Sequence, residues 1–506
     1  MQTEGFMSFV KTTMEWIAGF FVVAVILLLL TIIVFYIIDS TQKKHAIRHN
    51  FPVIGRFRYW FEHLGEFFRQ YFFSMDREEL PFNRAERTWV YRAAKDISRT
   101  QAFGSTRNLN QVGTVLFMND QFPTQEEDAV EAPPVMIGPY CRTPYLAQSF
   151  FNISGMSYGA LSKVAVEALA RGAARAGCWI NTGEGGLSPY HLTGGGDVVF
   201  QIGTAKYGVR DAEGKLSDDK LKEVAEHPQV KMIELKLAQG AKPGKGGILP
   251  AEKVNEEIAK IRGIPAGEAS ISPNGHREIH TVGDLLDLIN HIREITGKPV
   301  GFKTVLGSEH FLFELCAEIH KRGIEFAPDF ITVDSADGGS GAAPQPLFDY
   351  VGLTLKESLP MVIDILQQQG LRDRIKVIGS GKMINPSMVA WALAMGADFV
   401  LSARGFMFAL GCIQAMQCNK NTCPTGVTTH NPDLQKGLDI TDKSVRVYHY
   451  HKNMVKAVGM IAHSCGVKEP RQLKRHHMRV VTESGLSTPI DKVHPYQENK
   501  IPTKNL

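Results

Sequence analysis

The sequence is poor in the features that mark a secreted scaffold, a nucleic-acid binder or a polytopic membrane protein. Seven Cys in 506 residues are too few for a disulfide framework. Charge of neither sign dominates. Lys plus Arg number 56 against 52 Asp plus Glu, for a formal net charge of +4. These charges are spread along the chain, so no electrostatic footprint for nucleic acid appears. No GxGxxG opens a helix after an apolar run. Gly379-Ser380-Gly381 lacks the third glycine, which argues against a built-in dinucleotide domain. Reducing power, if needed, must come from elsewhere. A long charge-free apolar run occurs once. The hydrophobic fraction of 44% and charged fraction of 21% exclude a wholly disordered chain. The length allows about three domains, or one large barrel with extensions.

That one apolar run lies from Trp16 to Ile38 (WIAGFFVVAVILLLLTIIVFYII). As a helix it reaches roughly 35 Å, enough to cross a hydrocarbon core with some tilt. It is too long for a signal-peptide core, and no small-x-small cleavage site follows. Trp16 and Tyr36 lie near its ends, as interface anchors do. Lys43, Lys44, Arg48, Arg56 and Arg58 follow it, whereas Lys11 alone precedes it. The positive-inside rule then predicts a single-pass anchor in the cell (inner) membrane, with residues 40–506 cytoplasmic. Residues 56–73 are basic and aromatic. They read either as a membrane-surface segment or as a helix packed on the body or on a partner subunit.

After a polar stretch the chain alternates short apolar runs with helical patterns. Strands are expected at Phe150–Ile153, Trp179–Asn181, Val198–Gln201, Met232–Lys236, Val300–Thr304, Phe330–Val333, Lys376–Ile378 and Phe399–Leu401. Helices such as Leu161–Ala176 and Met388–Met395 lie between them. Eight strands alternating with helices predict an α/β fold, a (β/α)8 TIM barrel. A doubly wound sheet is the alternative. Glycine-rich loops follow the strands: Ser154–Ala160, Asn181–Gly186, Gln239–Gly247 and Asp334–Gly341. In a barrel all would meet on the C-terminal face, where active sites are built. Gly379-Ser380-Gly381-Lys382 and Ser402-Ala403-Arg404-Gly405 follow strands seven and eight, the usual place for a barrel phosphate site. The boundaries expected are an anchor at 1–40, a juxtamembrane helical segment and linker at 41–135, the barrel at 136–466, and a tail at 467–506.

Cys412, Cys418 and Cys423 crowd together as C-x5-C-x4-C. Such crowding in a cytosolic body suggests a metal or a cluster rather than disulfides. Spacing alone favours a three-iron cluster over a Cys3His zinc site with His430, and either over unligated thiols. Cys141, Cys178, Cys316 and Cys465 are scattered and read as buried small hydrophobes.

Several of these stretches, in this order, resemble the FMN-binding synthase domain of glutamate synthases. They are SGMSYGA, NTGEGG, QIGTAKYGV, KLAQGAKPGKGG followed by ILP, ISP at Ile271–Pro273, SADGGSGAAP, and the cysteine run ending in CPTGV. The resemblance covers about residues 140 to 465. The anchor and Leu64–Ala94 look like a short, single-domain branch of that family. The resemblance implies FMN and a 3Fe–4S cluster on Cys412, Cys418 and Cys423. It implies reductive amination of 2-oxoglutarate to glutamate through 2-iminoglutarate. Gln239, Lys242 and Arg262 match substrate contacts, and Thr281 stands where the family has serine. Glu184 is the candidate for proton transfer, with Lys242 beside it as a catalytic candidate. Ser154, Gly155, Met156 and Gln201 should pass along the flavin ring, with Lys303 at its N1/O2 edge. Gly379, Gly381, Ala403 and Arg404 should hold the phosphate, and Gly338 and Gly339 should border the cofactor. A separate electron donor, either ferredoxin or an NAD(P)H-oxidising subunit, is implied.

Departures from the family bear on the nitrogen source. Gln2 follows Met1 where large members begin with a catalytic cysteine, so no glutaminase domain is expected here. Lys206 replaces an arginine, and Gly283 replaces an acidic residue associated with ammonia delivery. Ammonia is then expected from solution or from an amidotransferase subunit. Two alternatives stay open: N-methylglutamate formation from an amine, and a non-catalytic flavin-binding membrane scaffold.

Overall fold

The computed structural model describes residues 2–98 and 100–498. The chain divides into two compact units between Arg84 and Ala85.

The first unit opens on a helix, Gln2–Thr41. Its stretch Gly5–Thr41 is long and apolar enough to cross a membrane, and most of its apolar side chains are exposed, whereas Asp39 near its end is buried. A short helix, Ala46–Asn50, and a longer one, Ile54–Phe68, follow. The longer helix ends in a π-helical turn, Arg69–Phe73.

The second unit is built on a closed barrel of eight parallel strands. These are β1 (Phe151–Ile153), β2 (Ile180–Asn181), β3 (Val198–Ile202), β4 (Val230–Lys236), β5 (Val300–Thr304), β6 (Phe330–Asp334), β7 (Lys376–Ser380) and β8 (Phe399–Ser402). The order is sequential, and β8 closes on β1 through Val400–Phe151 and Ser402–Ile153. Strands buried on both faces read as nearly continuous apolar runs. That is why all eight were legible in the sequence. β2 is shorter than expected because Trp179 N donates to the Asn152 side-chain oxygen at 3.0 Å instead of continuing the ladder.

The N-terminal mouth is plugged by a hairpin, Val135–Ile137 with Tyr145–Ala147. Ile137, Tyr145 and Ala147 pack with Trp179, Met232, Phe330 and Phe399 in one core cluster. Asp329, wholly buried, is held there by Arg293 (3.1 Å) and Arg374 (3.0 Å). A buried carboxylate without such partners would be strongly destabilising. The four scattered cysteines are buried.

The flanking segments pack on the barrel. Helix Arg84–Ala94 sets Trp89 against Tyr450 of helix Ile440–Ser464. Strand Val115–Phe117 pairs antiparallel with Met478–Val481, which pairs with Ser487–Pro489. Residues 478–481 and 487–489, within the stretch read from the sequence as a C-terminal tail, therefore form a sheet with residues that precede the barrel.

Candidate active site

Alternation along β4 places Met232, Glu234 and Lys236 on one face, and that face is the barrel interior. Met232 lies in the apolar plug. One layer up, Glu234 accepts from Asn181 (2.8 Å), Gln201 (2.7 Å) and Thr332 (2.6 Å). At the C-terminal end, Lys236 Nζ meets Glu184 Oε1 at 2.7 Å and donates to Gln239. This buried polar column floors a cavity on the C-terminal face.

The cavity is lined by Gly155, Met156, Glu184, Gln201, Lys236, Gln239, Lys242, Arg262, Gly339, Ala403, Arg404 and Cys418, among others. Loops far apart in sequence thus converge as the barrel reading required. Gly155 is a glycine for a reason of space: a Cβ there would lie 2.9 Å from Asn181 Oδ1 and 3.1 Å from Gln201 Nε2. Arg262 ends a short helix and is buried. It donates to Ser270 Oγ (3.2 Å) and the Tyr158 carbonyl (3.4 Å), while its Nε has no partner within the protein. Its guanidinium lies 5.1 Å from the Tyr207 ring centre.

Charge in this cavity is strongly biased. Burial would raise the Glu184 pKa, but Lys236, Lys242 and Arg262 together hold it below its ordinary value. Glu184 is therefore ionised, an acceptor of protons rather than a donor. Burial, with Lys236 nearby, brings Lys242 down to about 8, and Glu184 opposes the shift. Arg262 is lowered as well, chiefly by burial.

At the other side of the cavity Arg404 Nη2 donates to the Ser340 carbonyl at 2.7 Å, and its Nη1 lies 3.8 Å from Cys418 Sγ. A Cβ at Gly339 would come within 3.0 Å of Arg404 Nε. Gly338 packs on Gly240, with a Cβ position 2.9 Å from the Ser335 carbonyl. Gly381 has φ +135° and a Cβ position 2.3 Å from Ser335 Cβ, so the turn after β7 requires glycine. Gly379 sits in β7 with ordinary van der Waals space around it. Ser154 donates its backbone N–H to Ser402, joining β1 to β8.

Not every sequence-derived candidate lines the cavity. Thr281 is exposed and caps helix Val282–Thr296, its hydroxyl accepting from Asp284 N at 3.1 Å. It does not line the cavity, because the cap commits the hydroxyl to the helix end. Lys303 pairs with Asp334 at 3.0 Å, and Asp334 also accepts from Gly240 N. Lys206, standing for the family arginine, pairs with Glu278 at 3.0 Å.

Cys412, Cys418 and Cys423 share one loop, and Cys412 feels both of the others electrostatically. Among the described residues no three His, Cys, Asp or Glu side chains converge closely enough to hold a metal ion. His430, the fourth ligand a zinc site would need, points its Nε2 at the Gly159 carbonyl, 2.8 Å away. Lys253 is buried between the Ala160 carbonyl (2.9 Å) and the Cys418 carbonyl (3.1 Å). It ties the loop after β1 to the cysteine loop.

Sequence reasoning missed Lys236, Glu234 and Lys253. For the first two a signal existed: Glu234 and Lys236, two apart near the end of the strand, must share one face. For Lys253, in a loop, there was none.

A closed parallel barrel with buried cations around a cavity on its C-terminal face defines a (β/α)8-barrel enzyme. Comparison with known proteins narrows the class. The family described as "Conserved region in glutamate synthase" matches residues 94–468, and the chain belongs to that family, whose members are oxidoreductases acting on amino donors. It is 39% identical over 494 residues to "Glutamate synthase large subunit-like protein YerD" of Bacillus subtilis, covering 90% of this chain and 93% of that one. It is 35% identical over 288 residues to "Archaeal-type glutamate synthase (NADPH)" of Thermotoga maritima, covering 56% of this chain and 53% of that one. The chain thus spans about half the length of that relative. Among solved structures it is similar to the flavin-binding domain of baker's yeast flavocytochrome b2, at a TM-score of 0.46 and 15% identity, covering 82% of this chain and 85% of that one.

Proposed function

We propose that this chain is a membrane-anchored glutamate synthase-type oxidoreductase that aminates 2-oxoglutarate reductively to glutamate. One observation carries the reading. The substrate end of the cavity holds three cations, Lys236, Lys242 and Arg262, against one carboxylate, Glu184. The surplus of two positive charges complements a dicarboxylate, and buried charge is retained only where something pairs it.

Arg262 grips one carboxylate through its fork, and Lys242 meets the other as a point charge. Gln239 is fixed by Lys236 and hydrogen-bonds the substrate beside it. The Lys236 ammonium polarises the keto oxygen. Glu184, ionised, takes at Oε2 the proton released when ammonia adds to the carbonyl. Loss of water gives 2-iminoglutarate, held by the same cations. FMN, when bound and reduced by the electron donor, would supply the hydride. Gly381, Ala403 and Arg404 would hold its phosphate, flanked by Gly338, Gly339 and Gly379. Ser154, Gly155, Met156 and Gln201 would follow its ring. Lys303, kept cationic by Asp334, would face its N1/O2 edge.

Cys412, Cys418 and Cys423 would carry a 3Fe–4S cluster. Support comes from the donor chemistry: three soft sulfurs, with Arg404 and Lys253 as neighbouring cations, suit an anionic iron–sulfur group. Electrons would arrive from a separate donor, ferredoxin or an NAD(P)H-oxidising subunit. The apolar helix would anchor the chain, with the basic flank placing the body in the cytoplasm.

The test is product formation by the purified chain, given 2-oxoglutarate and an artificial reductant, with each nitrogen donor in turn. Glutamate from ammonium is expected. Product with methylamine alone would move the assignment to N-methylglutamate. A flavin-loaded protein active with no donor would be a scaffold.

A further inference from the structure

Helix Ile54–Phe68 has the amphipathic pattern of a helix that buries one side, yet the side it leaves bare is the apolar one. Ile54, Phe57, Trp60, Phe61, Phe67 and Phe68 recur at helical spacing and are all exposed, Ile54 at 74% and Trp60 at 54%. At 100° per residue they fall on one face. The opposite edge is the one in contact. A Cβ at Gly55 would lie 2.8 Å from the Ile47 carbonyl. Tyr59 packs edge-on against His45, with ring centres 5.4 Å apart, and Arg48 lies over it at 4.7 Å.

A clamp fixes this inverted arrangement to the apolar N-terminal helix. Asp39, 1% exposed, accepts from Arg56 at 2.7 and 2.9 Å and from Val53 N at 3.1 Å. The Arg56 guanidinium also lies 3.9 Å from the Phe35 ring centre. Helix Ile54–Phe68 is thereby held at the end of the first helix instead of trailing from it.

We infer that helix Ile54–Phe68 lies in the headgroup boundary of the bilayer that the first helix crosses, its apolar face in the lipid. The inference rests on the membrane reading above. Continuity with that span selects a lipid surface over a protein partner: the clamp delivers the aromatic face where the span leaves the hydrocarbon. Charge agrees: Arg56, Arg58, Glu62, Glu66 and Arg69 punctuate the helix and its π-helical extension, which suits a helix lying at the boundary and not one crossing the hydrocarbon. Aromatic rings are the side chains that favour this boundary. Lys43, Lys44 and Arg48 on the linking segment complement anionic headgroups.

The experiment uses the full chain in vesicles of phosphatidylcholine and phosphatidylglycerol whose acyl chains carry bromine at either a shallow or a deep carbon. Tryptophan emission is compared among the wild type, Trp16→Phe and Trp60→Phe. The expected result is a component quenched best by shallow bromine that disappears in Trp60→Phe. Quenching that Trp16→Phe removes and Trp60→Phe leaves unchanged would overturn this inference while the span survives. In that case the face is covered by protein, and cross-linking would show whether by a second copy. Loss of quenching from both would overturn the membrane reading itself.

Discussion

Burial and the neighbouring Lys236 bring the Lys242 ammonium to about 8 from an ordinary 10.5. Two consequences of opposite sign follow. For function, the empty enzyme loses the cation that meets substrate as pH passes 8, so kcat/KM for 2-oxoglutarate should fall about tenfold per pH unit beyond it. For stability, the unfolded chain still binds this proton between about 8 and 10.5 while the native chain does not. The group's contribution to folding therefore rises with pH across that window, and is constant and unfavourable below it. Activity and stability should thus part company on the alkaline side, which separates loss of a charge from loss of the fold. Lys242→Ala removes a hydrogen bond to a charged group, about 1.5–3 kcal/mol, or about ten- to a hundredfold in kcat/KM. It should also flatten the alkaline limb. A variant that keeps the limb would assign it to another group. Lys253, also at about 8 through burial, is the first alternative to examine.

Loops between strands and helices carry the site, and their glycines differ in what they tolerate. Gly381→Ala places a methyl 2.3 Å from Ser335 Cβ at φ +135°, where backbone strain alone costs about 1–3 kcal/mol. Gly379→Ala, two residues earlier, meets Ala392, Leu355 and Leu359 at 3.7–3.8 Å. The first substitution should lower the melting temperature and strip flavin, and the second should do neither. Equal behaviour in a thermal melt and a flavin assay would show that the turn after β7 is not what positions the phosphate loop. In the cysteine loop, Cys418→Ser should lose iron by metal analysis after anaerobic purification. Stoichiometric zinc in the wild type would refute the cluster. The elements differ in how plainly the sequence announced them. Doubly buried strands left nearly continuous apolar runs, so all eight were legible. Glycine loops following them located the cavity and Glu184 within one of them, whereas Gln239, Lys242 and Arg262 were singled out by the family resemblance. Lys236 escaped because its strand looked finished rather than functional. Thr281 misled because a serine or threonine that matches a site motif matches a helix cap equally well, and here Asp284 completes the cap. The strand Met478–Val481 has one partner nearby, Ser487–Pro489, but its pairing with Val115–Phe117, more than three hundred residues away, leaves no local signal in the sequence.

At the scale of the whole molecule, the compact unit is larger than the barrel. Sequence patterns placed its start at residue 136, whereas the compact unit begins at Ala85. The difference lies in what residues 85–135 cover. Val90, Ala93 and Ala94 are buried to 1% exposure or less. Tyr91 donates to the Cys412 carbonyl at 2.7 Å and sets its ring against Phe408. Strand Val115–Phe117 covers the edge of Met478–Val481, and an exposed edge invites pairing between chains. Uncovering a buried Val, Leu or Phe costs about 1.5–3 kcal/mol each, against a total stability of about 5–15 kcal/mol for a native protein. A chain of residues 85–506 should therefore be soluble, monodisperse by size exclusion and able to bind flavin. A chain of residues 136–506, though it keeps every barrel strand, should aggregate or melt far lower, and its cysteine loop should lose iron first because Tyr91 no longer holds the Cys412 carbonyl. If the two shortened chains melt together and retain equal iron, the segment is a passenger, and the barrel stands alone as its sequence suggests.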